Sequence, residues 1–379
     1  MSFLRRILQR SFCTSLQSPV SIKSISEDLY KERDLKRLVD KFKKASELAR
    51  FRTRSGIYEN TVRRLTVAKR FKWVEEILEE QKKYSDVKKE GFSARLISLY
   101  GSAGLCENAQ KTFDELPERN CTRTVVSLNA LLAAYSRSKK FDMVEFIFKD
   151  IPTKLLIEPN LVSYNIVIKA YCEMGSPDSA ISLLEEMEKK GIYPDLITYN
   201  TLLHWLYTKD RFLDGEKLWS QMGEKNVAPD TRSYNARLRG LAEEKKTKDA
   251  IELFEKMKNE GIKPDMFSFN AMFKGFVDTD DLDEAKRWYT ELSNNYEYDP
   301  NKITFSTLLP FLCQKGDLTT AFELCKDIFN IRCLVNPSIL QLVVDSLVKQ
   351  SMITEAKEIV QLGETNGYRR YRLNLKADE

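Results

Sequence analysis

Apolar and polar positions along the chain follow a helical spacing that restarts at a fixed interval. Tyr164, Ile168 and Tyr171 mark one face of a first helix, and Ala180, Leu183, Leu184 and Met187 fall at i, i+3, i+4 and i+7 of a second. Gly175 stands between the two, where a left-handed turn is cheap for glycine, and Gly191 and Pro194 close the second helix. The block LVSYN at 161–165 returns as LITYN at 196–200, TRSYN at 231–235 and, slightly shifted in character, MFSFN at 266–270. Pro-Asp or Pro-Asn closes successive blocks at Asn160, Asp195, Asp230, Asp265 and Asn301. The period is 35 residues, with one extra residue in 125–160 and in 266–301. Extended over the chain, it gives nine units starting at 55, 90, 125, 161, 196, 231, 266, 302 and 337.

A helix pair this short cannot bury its apolar stripe alone, whereas stacked neighbours share one core. The predicted fold is therefore all-α, an α-solenoid of about nine 35-residue helix-pair repeats over 55–371, followed by a tail at 372–379. A small residue recurs at Ala109, Ala180, Ala250, Ala285, Ala321 and Ala356, which should let paired helices approach closely. Leu116, Ile151, Met187, Met222, Met257, Leu292 and Ile328 share another position and read as core. Residues 27–54 read as a basic helical cap, with an unpaired helix over 34–52.

Composition then removes several classes of function. There is one histidine, His204, and the seven cysteines form no CxxC pair, so a structural zinc site, a Ser-His-Asp hydrolase and a zinc deaminase are all unsupported. The scattered cysteines read as reduced core thiols. No apolar run approaches the ~18 residues of a spanning helix, so no membrane role is expected. Neither GxGxxG nor GxxxxGK[ST] occurs, so no nucleotide, cofactor or small-molecule substrate is implied. The acidic run DTDDLDEA at 278–285 fails the EF-hand spacing because Leu282 and Asp283 stand where ligand and glycine belong. Asp281 or Asp283 is expected there as a helix cap. No catalytic or metal-ligating residue is assigned.

Charge is distributed unevenly. The net charge is +5, but residues 31–72 hold 15 basic against 5 acidic side chains. Arg50, Arg52, Arg54, Arg63, Arg64, Lys69, Arg70 and Lys72 form the densest part, a candidate phosphate-binding surface. Residues 1–26 are different again: Arg5, Arg6, Arg10 and Lys23, seven serines, no acid, and an apolar face at Phe3, Leu4, Ile7 and Leu8. That is the composition of an organellar presequence, and arginines this early favour the mitochondrial matrix over the plastid. Cleavage is expected near Phe12 or later.

The combined signature, an aliphatic residue, then Ser or Thr, Tyr or Phe and Asn, followed by G, A, M and G-I-x-P-D, resembles the pentatricopeptide repeat. The resemblance is clearest over 161–300 and fades towards both ends. It implies a modular reader of single-stranded RNA, one base per repeat. The fifth and last residues of each repeat would read the base, and the second-position residue would help sandwich it. The pairs are Asn129/Asn160, Asn165/Asp195, Asn200/Asp230, Asn235/Asp265, Asn270/Asn301 and Ser306/Asn336. They imply pyrimidine, U, U, U, pyrimidine and A. Val126, Val162, Ile197 and Ile303 suit the sandwich, while Arg232 and Phe267 depart from it. The outer pairs Glu59/Lys89, Ala94/Thr124 and Gln341/Tyr371 match no useful combination.

Two functions follow from this reading. The chain also resembles the short pentatricopeptide proteins of plant mitochondrial ribosomes, which implies a non-catalytic structural subunit of the small subunit, contacting ribosomal RNA and mitochondrial ribosomal proteins. The alternative is a free mitochondrial protein that covers a short U-rich transcript site. The short array, the degenerate outer repeats, and basic charge lying outside acidic central repeats favour the first.

Overall fold

The computed structural model describes residues 21–295, 298–366 and 371–375, and every regular element among them is helical. None of these helices is long and apolar enough to cross a membrane. The chain divides into two compact units, one up to Tyr193 and one from Pro194 onward.

The first unit opens with α1 (Ile22–Lys31), α2 (Leu35–Ser46) and the short α3 (Ala49–Arg52). Four helix pairs follow: α4 (Ser55–Val67) with α5 (Phe71–Gln81), α6 (Glu90–Ser102) with α7 (Cys106–Asp114), α8 (Val125–Arg137) with α9 (Phe141–Leu155), and α10 (Leu161–Met174) with α11 (Pro177–Lys189). The second unit holds five pairs: α12 (Leu196–Thr208) with α13 (Phe212–Glu224), α14 (Thr231–Glu243) with α15 (Thr247–Asn259), α16 (Met266–Asp278) with α17 (Leu282–Asn295), α18 (Lys302–Lys315) with α19 (Leu318–Asn330), and α20 (Pro337–Lys349) with α21 (Ile353–Thr365). The nine pairs begin on the residues at which the 35-residue period restarts. Within each unit the first helix of a pair packs on its own second helix and on the first helix of the next pair, which is the α-solenoid arrangement.

The repeat motif places side chains by helical geometry. Residue four of a repeat points inward, so Tyr58, Tyr164, Tyr199, Tyr234, Phe269 and Phe305 are fully buried. Residue three is buried beside it, whereas residue two projects to solvent. In the second helices Ala109, Ala180, Ala250, Ala285, Ala321 and Ala356 are buried at the helix crossing, as are the positions of the Met stripe apart from half-buried Ile151. Gly215 takes the alanine place in α13. A Cβ there would lie 2.6 Å from the Tyr207 ring, and one on Gly240 would lie 2.2 Å from it. These two glycines make room for a tyrosine that other repeats lack at that position.

The turn between paired helices is the same in all nine repeats. Its fifteenth residue has positive φ whether it is Gly104, Gly175 or Gly316, or instead Lys69, Lys139, Asp210, Lys245, Asp280 or Ser351. The next residue's N–H returns to the carbonyl five residues back, as from Lys246 to Leu241 at 2.9 Å. The expected glycine is thus one solution to a geometry that backbone hydrogen bonding imposes in every repeat.

At the start of the chain the structure changes one expectation, the single helix over 34–52. Residues 1–20, including the proposed cleavage region, lie outside the described residues. Helix α1 begins at Ile22, four residues inside the segment ending at 26, and buries Leu29. The single helix over 34–52 is broken after Ser46, because Leu48 is extended at ψ 118°. The break folds α3 back, so that Phe51 packs against Phe42 and Tyr58 at ring separations of 5.4 and 5.8 Å.

Candidate nucleic-acid interface

The last residue of each central repeat is the N-cap of the next repeat's first helix. Asp230 Oδ1 accepts from the N–H groups of Arg232 and Ser233 at 2.9 and 3.0 Å. Ser233 returns the bond, its Oγ accepting from the Asp230 N–H at 3.1 Å, which completes a capping box. Asn200, the fifth residue of the repeat before, joins this cap. Its Nδ2 donates to Asp230 Oδ1 at 3.0 Å, and its Oδ1 accepts from Ser233 Oγ at 2.6 Å. The polarity of the network is fixed from the backbone outward: N–H groups require an oxygen on residue 230, that oxygen requires the Asn200 NH2, and the Asn200 carbonyl then faces the hydroxyl.

The same trio recurs three times. Asn235 donates to Asp265 Oδ1 at 2.9 Å and accepts from Ser268 at 2.5 Å. Asn270 donates to Asn301 Oδ1 at 3.4 Å and accepts from Thr304 at 2.8 Å. In the first unit Asn129 donates to Asn160 Oδ1 at 3.0 Å and accepts from Ser163 at 2.6 Å. Asp195 caps α12 through the N–H of Thr198 at 2.9 Å. Asn165 is half-buried on α10 in the other unit. Beside these pairs Val126, Val162, Ile197, Arg232, Phe267 and Ile303 are all exposed.

Ser306 and Asn336 are not joined. The Ser306 hydroxyl donates to the Lys302 carbonyl, Asn336 caps the Ser338 N–H, and Ile339 stands where the trios have Ser or Thr.

The degenerate outer positions are filled from within the chain. Glu90 Oε1 accepts from the N–H of Thr124 and of Ser127, at 2.7 and 3.1 Å, and Oε2 from the Thr124 hydroxyl at 2.8 Å. A first-position carboxylate thus replaces the Asn of that repeat. At the other end, 371–375 packs against Gly363 of α21 and reaches Gln341 of α20. Gln341, a fifth-position residue, donates to the Asn374 carbonyl at 2.8 Å and accepts from its N–H at 2.9 Å. Tyr371 and Leu373 are buried there. Neither Glu90 nor this segment was singled out by the periodicity.

Burial alone would raise the Asp230 carboxyl, but bonds from Ser233, Asn200 and Arg232 outweigh it and hold the group below the usual aspartate range. Glu90 behaves alike: burial opposes ionisation, and bonds from Ser127 and Thr124 prevail. Burial pushes the Cys172 thiol up to about 12, as befits a core residue. His204 is exposed on α12. Asp281 caps α17 through the Glu284 N–H at 3.1 Å, and Asp280 pairs with Lys315, so the acidic run serves the fold.

The eight basic candidates separate into two groups. Arg52 is buried, bonded to Asp86 at 2.6 Å and to the Ser46 and Glu47 carbonyls at 2.8 and 3.1 Å. Arg64 donates to the carbonyls of Leu29 and Glu32, tying α1 to α4. Both guanidinium groups are thus engaged by the fold itself. Arg50, Arg54, Arg63, Lys69, Arg70 and Lys72 are exposed, and none has an acidic partner within ion-pair distance among the described residues. Arg50 and Arg54 lie at the start of α4, and Lys69, Arg70 and Lys72 beyond its end, roughly 20 Å away by helical rise. Arg54 and Lys23 also line an open cleft of about 680 Å³ between α1 and the start of α4.

Comparison with known proteins agrees with this anatomy. Models described as PPR repeat family match 159–207, 194–243 and 229–278; one described as pentatricopeptide repeat domain matches 111–174; and one described as PPR repeat matches 95–121 and 267–295. Together they span just over half of the sequence. The chain belongs to the pentatricopeptide repeat family. Over 211 residues it is 51% identical to the small ribosomal subunit protein mS78 of Arabidopsis thaliana, a match covering 51% of this chain and 53% of that protein. Over 161 residues it is 58% identical to the small ribosomal subunit protein mS79 of the same plant, covering 42% and 41%. The chain thus spans about half the length of the curated relatives it matches. Among solved structures it is similar to the pentatricopeptide repeat protein PPR10 from maize, with TM-score 0.48, 18% identity, and coverage of 91% of this chain and 58% of that one.

Proposed function

We propose that this pentatricopeptide repeat protein is a non-catalytic structural subunit of the small subunit of the mitochondrial ribosome, contacting ribosomal RNA and neighbouring ribosomal proteins. The observation that carries the reading is the set of six exposed cations along α3 to α5, none with an acid within ion-pair distance among the described residues, in the stretch where basic side chains outnumber acidic ones three to one. Folded RNA is held through phosphates by such charges without regard to base identity. The identity to mS78 and mS79 supports the ribosomal setting. Co-sedimentation with the small subunit after import into isolated mitochondria is the test; a protein that stays at the top of the gradient refutes the assignment.

A second reading is favoured by the trios themselves. In Asn200/Asp230 and Asn235/Asp265, one Asn N–H and the carboxylate Oδ2 remain for an incoming base, a donor beside an acceptor. Uracil presents the complement, a carbonyl beside a ring N–H. This reading makes the central repeats a U-preferring track for single-stranded RNA, either in a free transcript or within a larger particle. Equal affinity of the protein for oligouridine and oligoadenosine excludes it.

A further inference from the structure

We propose that the buried hydroxyl at the third position of a repeat, acting together with the capping oxygen before it, fixes what the asparagine of the preceding repeat can read. Ser163, Ser233, Ser268 and Thr304 are the positioning residues for Asn129, Asn200, Asn235 and Asn270. The inference rests on the second reading above, that the central pairs meet bases.

An asparagine amide offers a carbonyl and two N–H groups, and unless held it can present either end. In each trio the carbonyl is engaged by a hydroxyl at 2.5 to 2.8 Å. That hydroxyl is fully buried, so water does not compete for it. It has a single proton. In Ser233 the alternative acceptor, Asp230 Oδ1, is at 3.1 Å and already receives three donors, so the 2.6 Å contact to Asn200 takes the proton. One N–H of Asn200 is used on Asp230. What remains towards solvent is one N–H. The amide is therefore held with this N–H outward: a flipped amide would set its carbonyl against the carboxylate and take from the hydroxyl proton the acceptor it has at 2.6 Å. The chain supplies its own contrast, since Ser306 and Asn336, followed by Ile339, form no trio.

The test compares wild type, Ser233→Ala and Ser233→Thr in the full chain, using short oligouridines carrying one non-U base at each position in turn. In wild type, one position answers to the Asn200/Asp230 pair and loses affinity when changed. In Ser233→Ala the penalty at that position should fall several-fold while penalties at neighbouring positions persist. Ser233→Thr should restore it, because Thr304 fills the same place in another trio. A purely structural role would weaken all oligonucleotides alike, and that outcome overturns the proposal, as does an unchanged penalty in Ser233→Ala. A wild type blind to base identity overturns the reading beneath it. That failure is distinguishable, because an arm without RNA follows the Asn200 side-chain amide by NMR in asparagine-labelled protein. Faster proton exchange at Asn200 alone in Ser233→Ala supports the positioning role, and an unmoved Asn200 signal overturns it.

Discussion

The two oxygens of the Asp230 carboxylate are used unequally. Oδ1 closes a helix and anchors Asn200, which leaves Oδ2 for the base contact proposed above. Because its bonds hold it below the usual aspartate value, it contributes stability above pH ~4, which is lost as pH falls through its folded value. Asp230→Asn keeps the cap, as Asn160 and Asn301 do, but has nothing to protonate. The stability gap between wild type and this variant should shift towards the variant as urea melts are taken from pH 7 down to pH 3. The sequence disclosed which asparagines and aspartates matter, since they recur at one period. It did not disclose that a third residue, 33 or 34 positions away and counted in the next repeat, completes each site. The Ser or Thr was visible as part of the motif, but its partner was not, because periodicity aligns equivalent residues and is silent on pairings across a seam. Tyr207 is a further residue-scale case. Gly240→Ala should gain about 1 kcal/mol of helix propensity and lose more to the collision 2.2 Å from the Tyr207 ring, where overpacking costs about 1–3 kcal/mol. A lower Tm, not a higher one, is the expected outcome.

Among the elements, the inter-helix turn gives a prediction of opposite sign. Lys245 is held at φ 57° in a turn that three other repeats build with glycine. A left-handed non-glycine residue costs about 1–2 kcal/mol, so Lys245→Gly should stabilise the protein despite the greater entropy of its unfolded chain, by up to about 1 kcal/mol in denaturant unfolding. The ends of the array were the least legible part. Glu90 caps α8 from the preceding repeat, and Glu90→Ala should cost roughly 1–2 kcal/mol by leaving two N–H groups uncapped. Nothing periodic marks that glutamate. The segment at 371–375 starts on the last residue of the frame and runs past it, where the period predicts nothing, yet it buries Tyr371 and Leu373 and occupies the Gln341 amide. Helix α3 was missed for a related reason: a basic amphipathic stretch reads as one helix, and only the packing of Phe51 shows the break at Leu48.

For the molecule as a whole, the nine repeats and their boundaries were readable because one boundary motif is written five times in the centre and a constant period carries it to both ends. The basic region was readable as a charge excess but not in its division of labour. Replacing Arg50, Arg54, Arg63, Lys69, Arg70 and Lys72 with glutamine should weaken association with the small ribosomal subunit and reduce its salt dependence, by up to roughly 0.7–0.9 in the logarithmic slope for each phosphate no longer neutralised. Helicity by circular dichroism should be unchanged, since arginine and glutamine differ little in helix propensity. Changing Arg52 and Arg64 instead should lower stability and leave that slope alone. The trios carry a different consequence, for how such a protein gains or loses modules. A tandem duplication that copies one 35-residue block inherits its asparagine and aspartate, but not the hydroxyl that aims the asparagine. That group comes from whichever block lies downstream. Cassettes for engineering or for unequal crossing-over are therefore best cut after the third residue of a repeat and not at its first, so that each transplanted reader travels with the latch that orients it.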